Sequence, residues 1–345
     1  MSEAVQNQSK FRAFLARKQI NITAKAYFLD AMSAMALGLF SSLLIGTIFD
    51  TIGSRFGIEL FVTIAGYAKG ATGAALGVAI AHALHAPPFV LFSAAAVGIA
   101  GNTLGGPVGA YGATIIAAEL GKAVSKETKV DILVTPFVTI VSGTLVAMFI
   151  GPVVSGLMNA LGEFIMMATE MQPLLMGVVV SVVVGIVLTL PISSAALCVM
   201  LSLGGLAAGA ATAGCCAQMV GFAVMSFAEN RWGGLVAQGL GTSMLQMSNI
   251  IKNPRIWIPA ILTSAITGPI STMVFKLESI PAAAGMGTCG LVGPLGIFSA
   301  MESSASMWIG ILLVCFVLPA VLTPIFSWAL KRIGWIHDGD LKLDL

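Results

Sequence analysis

Long apolar runs that contain no charged side chain dominate the pattern along this chain. The longest, Pro173 to Ala228, spans 56 residues without Asp, Glu, Lys, Arg or His. Further uncharged runs of 19, 23, 20 and 28 residues lie at 31–49, 132–154, 256–275 and 303–330. A helix that crosses the hydrocarbon core of a bilayer needs about 20 apolar residues. The pattern therefore predicts an all-α integral membrane protein with about 10 transmembrane helices.

Two uncharged stretches are too rich in glycine to form regular helices. Gly101 to Gly112 holds five glycines and a proline, and Trp232 to Ile251 contains paired glycines and a Gln-Gly-Leu-Gly-Thr-Ser sequence. Irregular backbone at membrane depth is tolerated only where protein or a watery cavity satisfies its hydrogen bonds. Both stretches are therefore predicted to be re-entrant or broken helices. Lys122, Lys126 and Lys129 indicate a loop after the first of these two stretches.

The membrane region divides into two related halves, at about 27–165 and 171–330. Short Gly-Thr motifs recur in the same order in both, and a Gly-Pro pair follows two corresponding spans, at 151–152 and 268–269. This order predicts an internal repeat, a common device of transporters. Five plus five inverted spans are favoured, although the loops at 122–129 and 252–255 are both basic, which an inverted arrangement does not explain.

Composition and charge support a lipid environment. Charged residues make up 9% of the chain, against about 25% in soluble domains. The net charge of +2 gives no reason to expect nucleic acid as a partner. Basic residues flank the membrane domain, 27–335, so the tails at 1–26 and 336–345 are both predicted to face the cytoplasm. The five cysteines fit no disulfide or zinc spacing, which leaves packing as their role.

Two charged residues inside apolar sequence are candidate contacts for a substrate. Glu302 has no charged neighbour for 23 residues upstream and 28 downstream, and Ser303 follows it. It either accepts hydrogen bonds from a solute or caps the last helix. Lys69, between Gly66 and Gly70, either pairs with a carboxylate or a substrate, or extends to the membrane surface.

Polar side chains on the two broken stretches complete the candidate site. Hydroxyl and amide groups suit a neutral polyol, although the same groups would also satisfy broken backbone. The predicted substrate-binding residues of these stretches are Asn102, Thr103, Gln238, Thr242, Ser243, Gln246 and Asn249.

Catalytic chemistry has no candidate in the sequence. There is no arrangement of nucleophile and base, no metal cluster and no Gly-Lys-Ser/Thr phosphate loop. We therefore expect a transporter rather than an enzyme, with no cofactor and no metal.

The chain resembles the membrane-embedded IIC subunits of the bacterial phosphotransferase system, in the divergent branch that includes the PfoR-type regulators. The resemblance is strongest over 238–249, continues through Asn253-Pro-Arg-Ile-Trp-Ile-Pro259 and the glycine-rich sequence at 285–294, and covers about 20–335. It implies a sugar-translocating homodimer in a bacterial plasma membrane, with a substrate domain that moves like an elevator. Ala300-Met-Glu302-Ser-Ser304 loosely matches a sugar-binding Gly-Ile-Thr-Glu-type motif of the family.

The resemblance also implies that phosphorylation would need separate IIA and IIB proteins, because neither domain is fused here. Three functions stay open: a permease for a sugar or small polyol, a PfoR-like sensor that binds a ligand without transport, and a proton-coupled carrier of a small anion.

Overall fold

The structure is a computed structural model that describes residues 12–343 and is built from helices. Within this range it contains no β-strand, only one isolated antiparallel bridge between Gly205 and Ser279. Its main helices are α1 Lys25–Ser54, α2 Glu59–Gly70, α3 Thr72–Ala83, α4 Pro88–Val124, α5 Asp131–Thr169, α6 Pro173–Thr189, α7 Ser194–Met200, α8 Gly205–Met225, α9 Phe227–Val236, α10 Met247–Lys252, α11 Pro254–Val274, α12 Pro281–Ala284, α13 Val292–Ala300 and α14 Ala305–Arg332.

These helices form two compact units. The first unit holds residues 12–42 and 70–155, and the second holds 43–69 and 156–343. The chain changes unit three times: within α1, at the junction of α2 and α3, and within α5. Each unit therefore combines two stretches that are distant in sequence.

In the first unit, α4 is broken at Gly105 and Gly106. Gly106 has φ 58° and ψ −158°, a conformation that favours glycine. A Cβ atom at Gly101 would lie 2.6 Å from the Cα of Ala110, whereas nine residues of straight helix would separate them by about 13 Å. The arms 88–104 and 107–124 therefore fold back on each other as a hairpin. The predicted break in 101–112 is confirmed.

The second predicted break, in 232–251, is also confirmed and belongs to the second unit. Arg231 adopts φ 51° and ψ −151° inside α9, a π-helical turn covers Ala237–Gly241, and Thr242 is extended. A 3₁₀ turn, Ser243–Gln246, then leads into α10.

The predicted loop is confirmed at 125–130 and contains Lys126 and Lys129, but it begins after Lys122. Helix α4 continues to Val124, and the side chain of Lys122 is only 2% exposed. Its ammonium group donates hydrogen bonds to the carbonyls of Gln19 and Leu84 and pairs with Glu119 at 2.9 Å. A lysine near a helix end was taken as solvent-exposed, but three acceptors allow it to be buried.

Within residues 12–343, six helices are long and apolar enough to cross a membrane, or seven if the bent pair α2 and α3 counts as one span. The structure therefore supports a multi-pass α-helical membrane protein. The number of ten spans and the internal repeat are not confirmed. The count treats α4 as one span, although each of its arms measures about 26 Å, close to the hydrocarbon thickness of about 30 Å.

The core of the second unit surrounds α8, which is buried along nearly its whole length. Val180 and Val184 of α6, Leu197 of α7 and Cys215 of α8 share one apolar cluster. All five cysteines are buried and free, in agreement with a packing role.

Candidate functional site

A polar face at the end of α1 forms one wall of a pocket in the second unit. Thr47, Asp50, Thr51 and Ser54 line it and are spaced at three and four residues, so they lie on the same side of the helix. The hydroxyls of Thr47 and Thr51 donate to the carbonyls four residues earlier, both at 2.8 Å. Their oxygen lone pairs remain available to accept hydrogen bonds from a solute.

Lys69 of α2 lies in the same pocket and forms an ion pair with Asp50. The Nζ to Oδ2 distance is 2.6 Å, and the two side chains are 36% and 39% exposed. This answers the question that the sequence left open, because Lys69 pairs with a carboxylate. The pair lies in an accessible hollow, where both groups can also reach a bound molecule.

The opposite wall is mostly apolar and comes from α12, α13 and the glycine-rich turns between them. Ile280, Met286, Val292 and Leu295 line it together with Ser299. The backbone between α12 and α13 turns sharply, with positive φ at Gly287, Gly290 and Leu291. The pocket, which we call the Asp50–Lys69 pocket, has a volume of about 370 Å³, within the usual range of about 300–1,000 Å³ for small-molecule sites.

Its chemistry suits a small polar solute. A carboxylate accepts hydrogen bonds, an ammonium group donates them and a hydroxyl does both, so the polar wall matches a molecule that carries several hydroxyls. Sequence reasoning found Lys69 but missed Thr47, Asp50, Thr51 and Ser54. Their spacing was visible in the sequence, but the uncharged run that predicts this span ends at Phe49, which left Asp50, Thr51 and Ser54 outside the predicted helix.

Glu302 and Ser303 are exposed in the turn between α13 and α14 and do not line this pocket. The oxygen of Ser303 accepts a hydrogen bond from the indole of Trp308 at 3.1 Å. Ser304, rather than Glu302, caps α14 by accepting from the backbone N–H of Met307.

Asn102 and Thr103 belong to the first unit, in the arm of α4 that precedes the break. Asn102 is partly buried and Thr103 is exposed, with its hydroxyl bonded to the carbonyl of Ile99 at 2.9 Å. They are the two predicted site residues that belong to the first unit.

Three of the predicted residues form a buried chain of amides in the second unit. The Nε2 of Gln246 donates to the side-chain oxygen of Gln238, and the Nδ2 of Asn249 donates to that of Gln246, both at 2.9 Å. Gln238 in turn donates to the hydroxyl of Ser226. The broken backbone beside this chain is satisfied by Thr242, whose oxygen accepts from the N–H of Met244.

This amide chain also binds the C-terminal tail. Gln246 donates to the carbonyl of Leu341 at 2.9 Å, and Asn249 donates to the carbonyl of Lys342 at 2.8 Å. Asn230 donates to Leu341 and accepts from the N–H of Leu343, both at 2.8 Å. Gln246 and Asn249, which were predicted to bind a solute, therefore bind backbone carbonyls of the tail.

The tail is packed as well as hydrogen-bonded. Ile336 is 2% exposed and Leu341 is fully buried, in a cluster with Phe222, Ile250 and Ile256. The predicted tail at 336–345 is therefore an integral part of the second unit over 336–343.

Ser243 is buried and hydrogen-bonded to Thr189 at 2.8 Å. In the described part of the chain, no group of three or more His, Cys, Asp or Glu side chains is arranged to hold a metal ion.

A family model described as "Phosphotransferase system, EIIC" matches residues 29–343. The chain belongs to this EIIC family. Membership, together with the apolar helices, indicates a membrane-embedded permease component that works with other phosphotransferase proteins. The resemblance drawn from the sequence is thereby confirmed for the EIIC family, while placement in the PfoR-like branch stays a prediction. Comparisons with curated proteins and with solved structures found no match to this EIIC chain.

Proposed function

We propose that this protein is a permease for a sugar or a small polyol and that the solute binds in the Asp50–Lys69 pocket. The proposal rests on one observation: an ion pair and four hydroxyl side chains line the same hollow of about 370 Å³. Polar recognition on one wall and apolar contact on the other is the usual composition of a small-molecule site.

The ion pair favours a neutral solute over an anion. Lys69 alone would attract an anion, but Asp50 at 2.6 Å cancels its charge. A proton-coupled anion carrier is therefore the weaker candidate. A PfoR-like sensor would use the same pocket without transport, and only measurements of solute movement separate it from a permease.

We further propose an elevator-like mechanism in a homodimer, without catalysis by this chain. The division into two compact units, each assembled from two distant stretches, supports separate scaffold and substrate domains. Family membership supports phosphorylation by separate IIA and IIB proteins. Basic flanks support a bacterial plasma membrane location with both termini in the cytoplasm.

Solute counterflow in proteoliposomes tests the transport proposal, because it needs neither phosphorylation nor an ion gradient. A panel of radiolabelled sugars and polyols is screened first, and the best solute is then used with Asp50→Asn, Lys69→Met and the double variant. Each removed polar contact is expected to weaken binding by about tenfold, as for a lost hydrogen bond to a charged group.

Glu163→Gln is the matched control, since it also converts an exposed carboxylate to an amide in the second unit, outside the pocket. Its counterflow should equal that of the unmodified protein. Solute binding without counterflow would identify a sensor. Wild-type affinity in both pocket variants would place the solute elsewhere, and Glu302→Gln then tests the turn before α14.

A further inference from the structure

A second hollow, of about 420 Å³, lies in the first unit where three connecting segments meet. One segment precedes α1, one joins α3 to α4 and one joins α4 to α5. We call this hollow the basic pocket; it is lined by Arg17, Lys18, Gln19, His85, Pro87, Lys122, Ser125, Lys126 and Glu127. None of these residues belongs to the Asp50–Lys69 pocket.

The lining carries four permanent cations and one carboxylate. Lys122 donates to the carbonyls of Gln19 and Leu84 and forms an ion pair with Glu119, so it is held by the protein itself. Lys18 is 8% exposed and donates one hydrogen bond to the carbonyl of Ser125, so its remaining donors are left for a ligand together with Arg17 and Lys126. Guanidinium and ammonium groups are the side chains that proteins use to bind phosphate.

Glu127 occupies the place that an anionic ligand would take. Its Oε1 lies 2.8 Å from Arg17 and 2.5 Å from Lys18, and its side chain is 41% exposed. A carboxylate on a surface turn can swing away, which would free both cations together. The structure thus contains an internal anion already bound between them.

Three helices end beside this pocket. Gln19, His85 and Lys126 have φ of 54°, 56° and 60°, and all three line this hollow. Each is the second residue after a helix end, where a left-handed residue commonly terminates the helix.

The basic pocket lies at the open end of the α4 hairpin. Helix α4 begins beside it at Pro88 and ends beside it at Val124, whereas the break at Gly105 and Gly106 is at the other end. Because apolar helices of membrane-spanning length begin and end here, we expect the pocket to lie near the lipid headgroups, where basic pockets bind anionic lipids.

We infer that the basic pocket binds a phosphate-bearing anion, which Arg17, Lys18 and Lys126 contact after displacing Glu127. The phosphate belongs either to the headgroup of an anionic phospholipid or to a soluble phosphate compound.

Two binding measurements on the full-length protein distinguish these sources. In the lipid arm, native mass spectrometry compares retention of phosphatidylglycerol with that of phosphatidylcholine. In the soluble arm, the unfolding temperature in neutral detergent is followed against inorganic phosphate at constant ionic strength, set with sodium chloride. Selective retention or a saturable shift supports the inference, and failure of both arms overturns it.

Charge variants test the residues. Arg17→Gln and Lys126→Gln are each expected to weaken binding by about fivefold, the effect of one basic group near an anionic surface. Glu127→Gln removes the competing anion and should strengthen binding by a similar factor. Lys129→Gln, on the same connection but outside the pocket, is the matched control and should leave affinity unchanged.

The opposite sign expected for Glu127→Gln separates ligand binding from a structural role. Weaker binding in that variant would overturn the inference, because Glu127 would then be holding the cations in place. An equal loss in Lys129→Gln and Lys126→Gln would also overturn it, since attraction would then be diffuse. Counterflow by each variant is measured in parallel, so that a failure of this inference leaves the proposed permease function separately tested.

Discussion

The C-terminal tail allows a sharp prediction, because a fully buried leucine lies among the hydrogen bonds that hold it. Leu341 is fully buried, whereas Leu343, two residues later, is only partly buried. Leu341→Ala should cost about 2–5 kcal/mol, the usual range for removing a buried leucine side chain and leaving a cavity. Leu343→Ala should cost less, because part of its side chain is already exposed to water.

The loss in Leu341→Ala has an upper limit set by the tail itself. If the tail detaches, its ordered residues regain about 1–2 kcal/mol of backbone entropy each, which offsets the contacts that are lost. Detachment would also leave the buried amides of Gln246 and Asn249 without their carbonyl partners, at about 1–3 kcal/mol each until water enters.

Amide hydrogen exchange measures detachment of the tail directly, because two tail N–H groups donate to side chains of the second unit. The N–H of Leu341 donates to Glu229 and that of Leu343 donates to Asn230. In Leu341→Ala both amides should exchange faster, and peptides covering 238–253 should also exchange faster. In Leu343→Ala the exchange at 341 should stay close to wild type. Unchanged exchange at both positions in Leu341→Ala would refute the reasoning that burial of this one side chain holds the tail.

Two further predictions concern the first unit. Gly101→Val should prevent the α4 hairpin from closing, because its Cβ would lie 2.6 Å from a backbone atom of Ala110. Fluorescence-detected size exclusion should then show loss of folded protein, whereas Gly156→Val, with open space around it, should behave as wild type. The second prediction concerns the pKa of Glu127, which lies below its usual 4.5: the hydrogen bond from Lys18 lowers it most, the charges of Arg17 and Lys18 lower it further, and desolvation raises it. The stabilisation by Glu127 should therefore be present at neutral pH and be lost as pH falls through the lowered pKa. Unfolding temperatures measured between pH 3 and 7 should converge with those of Glu127→Gln only at the acidic end, and a constant difference would contradict this.

The positions of the broken helices could be predicted from the sequence because glycine and proline act locally. The density of glycine in 101–112 locates the break to within a few residues of Gly105. That the two arms close as a hairpin could not be predicted, since closure depends on which faces meet. Lys122 was misassigned for the same reason: the carbonyls of Gln19 and Leu84, which accept its hydrogen bonds, are distant from it in sequence.

The candidate site shows the same limit. Lys69 could be found because a charge in apolar sequence is conspicuous, but its partner Asp50 lies just beyond the uncharged run 31–49, and nothing local shows that α1 continues to it. Gln246 and Asn249 were predicted to bind a substrate or to satisfy broken backbone. Both donate to backbone carbonyls of the C-terminal tail about 95 residues away, and the sequence gives no local sign of such partners.

The pairing of Asp50 with Lys69 has a consequence for the energetics of the proposed transport. One elementary charge moved across a membrane works with or against about 2.3 kcal/mol for every 100 mV of potential. Because the two charges cancel, a pocket loaded with a neutral solute carries no net charge through the electric field. The resting voltage of the cell would then neither drive nor oppose the movement of such a pocket, whereas losing either partner would couple it to that voltage.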